Sequence, residues 1–438
     1  MKVPAVVQTR TVNEAGTSVT YVAADRKLTF TVQGDKLKQQ EQVVFTITNV
    51  RTPSSITASQ SVVARTLDGA DKDIDGQNLA TEAITVGALV AGSATLSFET
   101  ATDTPGFESV ATVKFMTAGR VEVNGLVKIV MPDLGTSVQA GWRFTDAGNA
   151  GKDGALSSGT ANVPAIAFTA PATGAPEPKA VTYTTTGREL KFTCGTNGMA
   201  QATEHVFTIT NVLTPSSKVI ANTVTMTTQD SQGRNIDTTT AMTTDKIDPG
   251  ALTVAGAAAF ETATDTPGFF SVATVTFATA GRVEQGGKVE LVLPAKVAGD
   301  GAQQSTWECT DNSGVATTGT DGTDTANAPA VAFTSPTTNA GTSITYLAAD
   351  RKLTFTVQLA KLKQQEQVVF EITNVRTPSS ITASQMVVAR TLDGQDNDID
   401  GQNLATEAIT VGALVAGSAT LSFETATDTP GFESVATV

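Results

Sequence analysis

FETATDTPGF, residues 98–107, with SVATV closing behind it at 109–113, is the stretch that decides how this chain is read. The decapeptide returns unchanged at 423–432 and as FETATDTPGFF from 260, and SVATV returns at 271–275 and 434–438. A sentence repeated at long, even intervals marks a tandem array, and repeats govern every later inference. Working outward, Pro105, Pro267 and Pro430 share one repeat position, and Pro53, Pro215 and Pro378 share another inside TPSS. All three tyrosines of the chain, Tyr21, Tyr183 and Tyr346, fall in register at spacings of 162 and 163 residues, and the two tryptophans, Trp142 and Trp307, also correspond. The large polar aromatics therefore belong to the repeating framework, and a one-off active site would break the pattern.

Residues 16–113 match 341–438 without a gap at about nine positions in ten, closer than either matches the middle repeat, which points to duplication of a two-repeat block. Each repeat also reads as internally doubled, because AITVGALVAGSATLSF (83–98) echoes AVAFTSP…AGTSITY (330–346). The expected division is a trailing strand at 1–15 and modules at 16–91, 92–170, 171–253, 254–336 and 337–416, with an incomplete module at 417–438. The array stops inside a strand that continues as Lys114-Phe115 in the first copy. Two alternatives follow for that end: an excerpt of a longer array, or a half-module completed by strands of the next copy.

Periodicity within the segments is two. Leu28, Phe30 and Val32 alternate with Lys27, Thr29 and Thr31, and Val127, Ile129 and Met131 face one way while Lys128 faces the other. One apolar and one polar face per strand, punctuated by turns such as Asn124-Gly125 and Gly286-Gly287, predicts antiparallel sheets packed face to face. The expected fold is all-β, a tandem array of antiparallel β-sandwich modules, two per repeat.

Composition narrows the function classes. Only 16% of residues are charged and the net charge is −14. That balance excludes a nucleic-acid partner, since phosphates need cationic neutralisation. The most apolar window, 83–98, is broken by Thr85, Gly87, Gly92, Ser93 and Thr95, so no membrane span is expected. No N-x-S/T sequon occurs, whereas Ser and Thr beside Pro at Thr52-Pro53-Ser54-Ser55 and its copies leave O-glycans open as partners.

DKDIDGQNLATE, residues 71–82, fits the calcium-loop pattern D-x-D-x-D-G-x5-E. Asp71, Asp73, Asp75 and Glu82 would supply hard oxygen ligands, as would Asp396, Asp398, Asp400 and Glu407 in the third repeat. Against calcium, the loop lies between strands, Asn78 holds a position that is usually apolar, and the middle repeat reads DSQGRNIDTTT, without most of the acids. A solvated acidic hairpin is the competing reading. Cys194 and Cys309 fall on apolar faces of different modules and are expected as unpaired thiols, filling the places of Val32 and Phe144. His205, the single histidine, replaces Val43 and is expected at a strand end reaching water. No catalytic residue is assigned and the chain is not read as an enzyme.

The AGTSITY joint, the DTPGF segment with SVATV, and strands ending in Pro such as GGKVELVLP (286–294) resemble the tandem Ig-like β-sandwich repeats of large extracellular proteins of algae and other protists and of bacterial surface stalks. That resemblance implies an extracellular or cell-surface location and a fibrous or adhesive role. The expected function is a structural one, forming or spacing an extracellular fibre with further copies of the chain joined head to tail. The alternative is an adhesin whose loops bind glycans or a protein, stiffened by calcium.

Overall fold

A computed structural model describes residues 6–8, 19–32, 37, 39–40, 42–90, 96–145, 163–254, 259–295, 306–309, 319–320, 329–337, 344–358, 360–413, 424–425 and 436–437. The expected module boundaries at 15–16 and 91–92, and most of 417–438, lie outside them. The chain is all-β, a tandem array of antiparallel β-sandwiches, and the described residues contain no α-helix. It divides into two compact units, residues 1–87 with 234–236, and 88–233 with 237–438.

The larger unit holds two sandwiches of one design. In the first, the strand Leu126–Val130 lies antiparallel between Glu189–Cys194 and Thr223–Gln229, with Pro178–Thr184 beyond the former. Opposite them, Glu108–Met116 pairs with Ser97–Thr100 on one side and Glu204–Leu213 on the other. The second sandwich repeats this plan. Lys288–Val292 lies between Lys352–Thr356 and Met386–Leu392, and Phe270–Ala278 lies between Phe260–Thr262 and Gln367–Arg376.

The period-two reading describes these strands well. Val127, Ile129 and Met131 are buried while Lys128 and Val130 between them are half-exposed, and Val289, Leu291 and Leu293 repeat the pattern. Side chains of one strand face inward at every second position, so each sheet offers a single apolar face to its partner. In the second sandwich one continuous core joins Phe260, Val275 and Phe370 of one sheet to Leu291, Phe355 and Leu404 of the other. Aromatic rings meet edge to face inside both cores, Phe98 on Trp142 at 6.0 Å and Phe260 on Trp307 at 5.6 Å between centroids. This geometry favours the positive ring edge over the negative face.

Strand pairing corrects the expected division. Segments 92–170 and 171–253, expected as separate modules, interleave in the same sheets, and so do 254–336 and 337–416. Leu126–Val130 is the physical reason. It is the strand that ties two hairpins of the following segment into one sheet, and without it neither half has a closed core. Alternation reveals that a strand has a buried face but is silent about which segment covers it.

Candidate functional site

The strongest constellation in the larger unit is the joint between its two sandwiches, and the repeated motifs build it. In the first sandwich DTPGF curls over TPSS: Gly106 N–H donates to Pro215 O at 2.6 Å, Thr214 Oγ1 donates to Thr104 O at 2.6 Å, and Phe107 N–H donates to Thr214 Oγ1 at 2.9 Å. Gly106 has φ +60°, a left-handed conformation that glycine adopts without penalty. The backbone of Arg282, from the second sandwich, rests directly on it. Arg282 N–H donates to Gly106 O at 3.2 Å, and a side chain at Gly106 would collide with that backbone. Gly281 is pressed equally hard, since a Cβ there would lie 1.9 Å from Pro105 O. Bare backbone on both sides sets the closeness of this joint.

A hairpin turn from the second sandwich completes it. Asp393 is fully buried and divides its carboxylate between two tasks. Oδ1 accepts from Gln395 N–H at 2.9 Å and Asn397 N–H at 3.0 Å, fixing its own turn. Oδ2 crosses the joint and accepts from Ser217 Oγ at 2.8 Å, Ser216 Oγ at 3.3 Å and Gln139 N–H at 3.0 Å. Burial alone would raise the Asp393 pKa, but the donors from Asn397, Gln139, Ser217 and Gln395 outweigh it and hold the carboxyl below its usual range. Around this centre Gln139 Oε1 accepts from Gly394 N–H at 2.8 Å and Lys218 Nζ meets Asp398 at 2.9 Å. Arg143 meets Glu284 at 2.8 Å, with both side chains largely covered. Arg143 and Arg282 overcome the burial of Glu284 and keep its pKa low.

The acidic hairpin that fits a calcium loop is this joint element, and its carboxylates go to separate partners. Asp396, at φ +63°, pairs with Lys288, and Asp398 pairs with Lys218. Asp400 is buried and accepts from Ala280 N–H at 3.0 Å and Gly281 N–H near 3.2 Å, with burial pushing its pKa up to about 7. Glu407 lies beside Asp265, whose carboxyl raises its pKa. In the first repeat Asp71 takes the same left-handed turn position, Asp73 meets Arg65 at 3.0 Å, Asp75 meets Thr66 Oγ1 at 3.3 Å, and Glu82 is exposed past the strand end. No group of three or more metal-ligating side chains forms among the described residues. Residues two apart share one face of a regular strand, but Asp396 sits in the left-handed turn and the register slips between Asp398 and Asp400, so the three carboxylates turn to different partners.

Both cysteines are buried free thiols in different sandwiches, as expected, and burial lifts each pKa to about 12. His205 is a correction. Instead of reaching water it is buried, with Phe115 at 5.6 Å and Phe168 at 6.2 Å between ring centroids, and burial lowers its pKa to about 4. The middle-repeat TPSS is a second correction. Thr214, Ser216 and Ser217 are buried in the joint, so an O-glycan there would displace the Asp393 hairpin. Sequence reading missed the joint itself, though DTPGF and TPSS kept glycine and paired serines in every copy, a pattern that close backbone contact requires.

No family model and no curated protein matches the chain. Among solved structures it is similar to the type II cohesin dyad of the ScaA scaffoldin from Acetivibrio cellulolyticus, at 10% identity, TM-score 0.21, and coverage of 76% of this chain and 100% of that one. The C-terminal domain of the antigen I/II-family protein AspA from Streptococcus pyogenes gives 9% identity, TM-score 0.23, and coverage of 80% and 100%. The collagen adhesin of S. aureus gives 8% identity, TM-score 0.18, and coverage of 71% and 88%. Scores this low do not establish a common architecture, and the fold is defined by the strand pairing itself. No helix among the described residues is long and apolar enough to cross a membrane.

Proposed function

We propose that the chain is a structural spacer of an extracellular or cell-surface fibre, in which each sandwich is formed from two adjacent half-repeats and fixed to the next. The observation that carries this reading is the joint of the larger unit. There, buried Asp393, the paired serines 216 and 217, and backbone-to-backbone contact at Gly106 and Gly281 lock one sandwich onto another. A flexible tether needs none of these, whereas a spacer that transmits force needs a joint that resists bending. The framework aromatics, buried in register in both cores, support a scaffold over a loop-borne recognition site. Negative-stain microscopy of the native material tests the reading. Filaments or beaded stalks are expected, and isolated particles overturn it. A glycan array on the same material separates the spacer from the adhesin, which alone requires a saturable glycan signal.

A further inference from the structure

The joint of the larger unit selects the hairpin that it takes. Lys218 of the first sandwich is tied to Asp398 twice, its Nζ to the carboxylate at 2.9 Å and its backbone N–H to Asp398 O at 3.2 Å. Beside them Asn397 Nδ2 donates across the joint to Ser137 O at 2.9 Å. Arg390 stands 3.9 Å from the same carboxylate, so Asp398 answers one cation from each sandwich. The pair of Arg143 and Glu284 does not discriminate in this way, because the other copy of the Glu284 turn carries Glu122 at the same place.

The middle repeat holds a hairpin of the same form with the opposite charge. Asp230 Oδ1 accepts from Gln232 N–H at 2.9 Å and Gly233 has φ +76°, as Asp393 Oδ1 accepts from Gln395 N–H at 2.9 Å and Asp396 has φ +63°. Gly233, Arg234 and Asn235 stand there in place of Asp396, Asn397 and Asp398, which exchanges two carboxylates for one guanidinium. The residue after the paired serines changes in step. Lys218 belongs to the repeat before Asp398, and Ile56 to the repeat before Asn235. We propose that Lys218 makes this joint specific for hairpins of the first- and third-repeat kind, which carry Asp73 or Asp398, and closes it to the middle-repeat kind. A half-exposed ion pair contributes little by itself. Selection comes from the mismatch: a hairpin with Arg234 and Asn235 brings a cation toward Lys218 and removes the carboxylate that answers it. Middle repeats then cannot follow one another, and the joints keep the two-repeat block in order. The inference rests on the spacer reading for its use, while the selection itself concerns a contact inside one chain.

Hydrogen exchange of the full chain tests it, read at the amides of Gln139 and Arg282, which donate across the joint to Asp393 and to Gly106 O. The hairpin is converted to the middle kind by Asp396→Gly, Asn397→Arg and Asp398→Asn together. Both amides should then exchange faster by about tenfold or more, as like charges force the joint apart. Adding Lys218→Ile to that variant should return them to the parent rate. Slow exchange at Val289 and Leu291, buried in the second sandwich, shows that the converted hairpin has not unfolded it. A second set reverses the pair: Lys218→Asp and Asp398→Lys should each speed exchange, and the two together should restore it. A converted hairpin that exchanges at the parent rate, an acceleration that Lys218→Ile leaves in place, or a reversed pair no slower than its single variants overturns the proposal. Any of these beside filamentous native material would strike the selection and spare the spacer. A selective joint beside isolated native particles would do the reverse.

Discussion

The strand Ser61–Leu67 and its near-copy Met386–Leu392 differ at one residue, and each pairs with a strand reading DIDGQNLA in the same register. Val62 faces Leu79 as Val387 faces Leu404, and both hairpins carry the same irregularity, after Thr66 and after Thr391. Their surroundings are opposite. Val62 is 53% exposed, Ile74 62% and Leu79 51%, whereas Val387, Ile399 and Leu404 are fully buried. The difference comes from Lys288–Val292, which pairs along Met386–Leu392, and from the facing sheet that supplies Phe260 and Val275. Ser61–Leu67 has no such neighbour among the described residues. The hairpin is thus a local product of alternation and turn chemistry, and the core is a product of its complement.

Hydrogen exchange tests the difference in burial most directly, because VVARTLDG occurs identically at 62–69 and 387–394. A peptide of that sequence from the full chain should give two isotope envelopes, one exchanging rapidly and one protected by about a thousandfold or more, the span between exposed hairpins and sandwich cores. A single envelope would mean that the two copies share one environment. Next in size is a pair of truncations. Leu404→Ala should destabilise the second sandwich by about 2–5 kcal/mol through lost burial and a cavity. Leu79→Ala should stay within about 0.5 kcal/mol, as exposed substitutions do. Chemical denaturation of both variants gives the answer, and equal costs would mean that the two hairpins are equally covered.

Much of the fold could be read beforehand, and the reason is periodicity. Val127, Ile129 and Met131 on one side of a strand, and Asn124-Gly125 before it, are local signals with local causes. The covering strand was not legible. Nothing near Leu126 reveals that its neighbours would be Thr193 and Gln229, far along the chain. The same limit applied to the site. DKDIDGQNLATE matches a ligand spacing, but whether the ligands converge depends on backbone form, and a strand sends Asp398 to Lys218 and turns Asp396 to Lys288. The replacement of Val43 by His205 carried no mark of burial, because a polar residue in a strand gives no clue to the ring packed over it.

Asp400 and Asp75 extend the comparison to pH. Buried Asp400 has its pKa raised to about 7, against 3.8 when unfolded, so the folded second sandwich retains a proton that the unfolded chain releases. Its contribution is complete below pH 3.8 and declines as pH rises through 7. Asp400→Asn should flatten that slope while keeping an oxygen that accepts from Ala280 and Gly281. Asp75 is exposed, and Asp75→Asn serves as the matched surface variant. Melting temperatures at pH 5 and pH 8 for the three proteins decide it. A slope surviving in Asp400→Asn would assign it to another group.

The smallest expected effect sits at His205, in the position filled by Val43 in one copy and by buried Val368 in the other. An imidazole in an aromatic cage loses hydration that valine never had, so His205→Val should stabilise the first sandwich at pH 7 by about 1 kcal/mol. The pH dependence identifies the cause. With the folded pKa depressed to about 4 from 6.5, both states are neutral above pH 6.5 and stability is level there. Between 6.5 and 4 the unfolded chain binds a proton that the folded sandwich refuses, and stability falls as pH falls. His205→Val should abolish that fall, so its advantage over the parent grows from pH 7 to pH 4.5. Denaturation midpoints measured across that range give the test. A constant advantage would attribute the gain to packing alone, and an advantage that shrinks toward pH 4.5 would show that the folded state welcomes the charged ring.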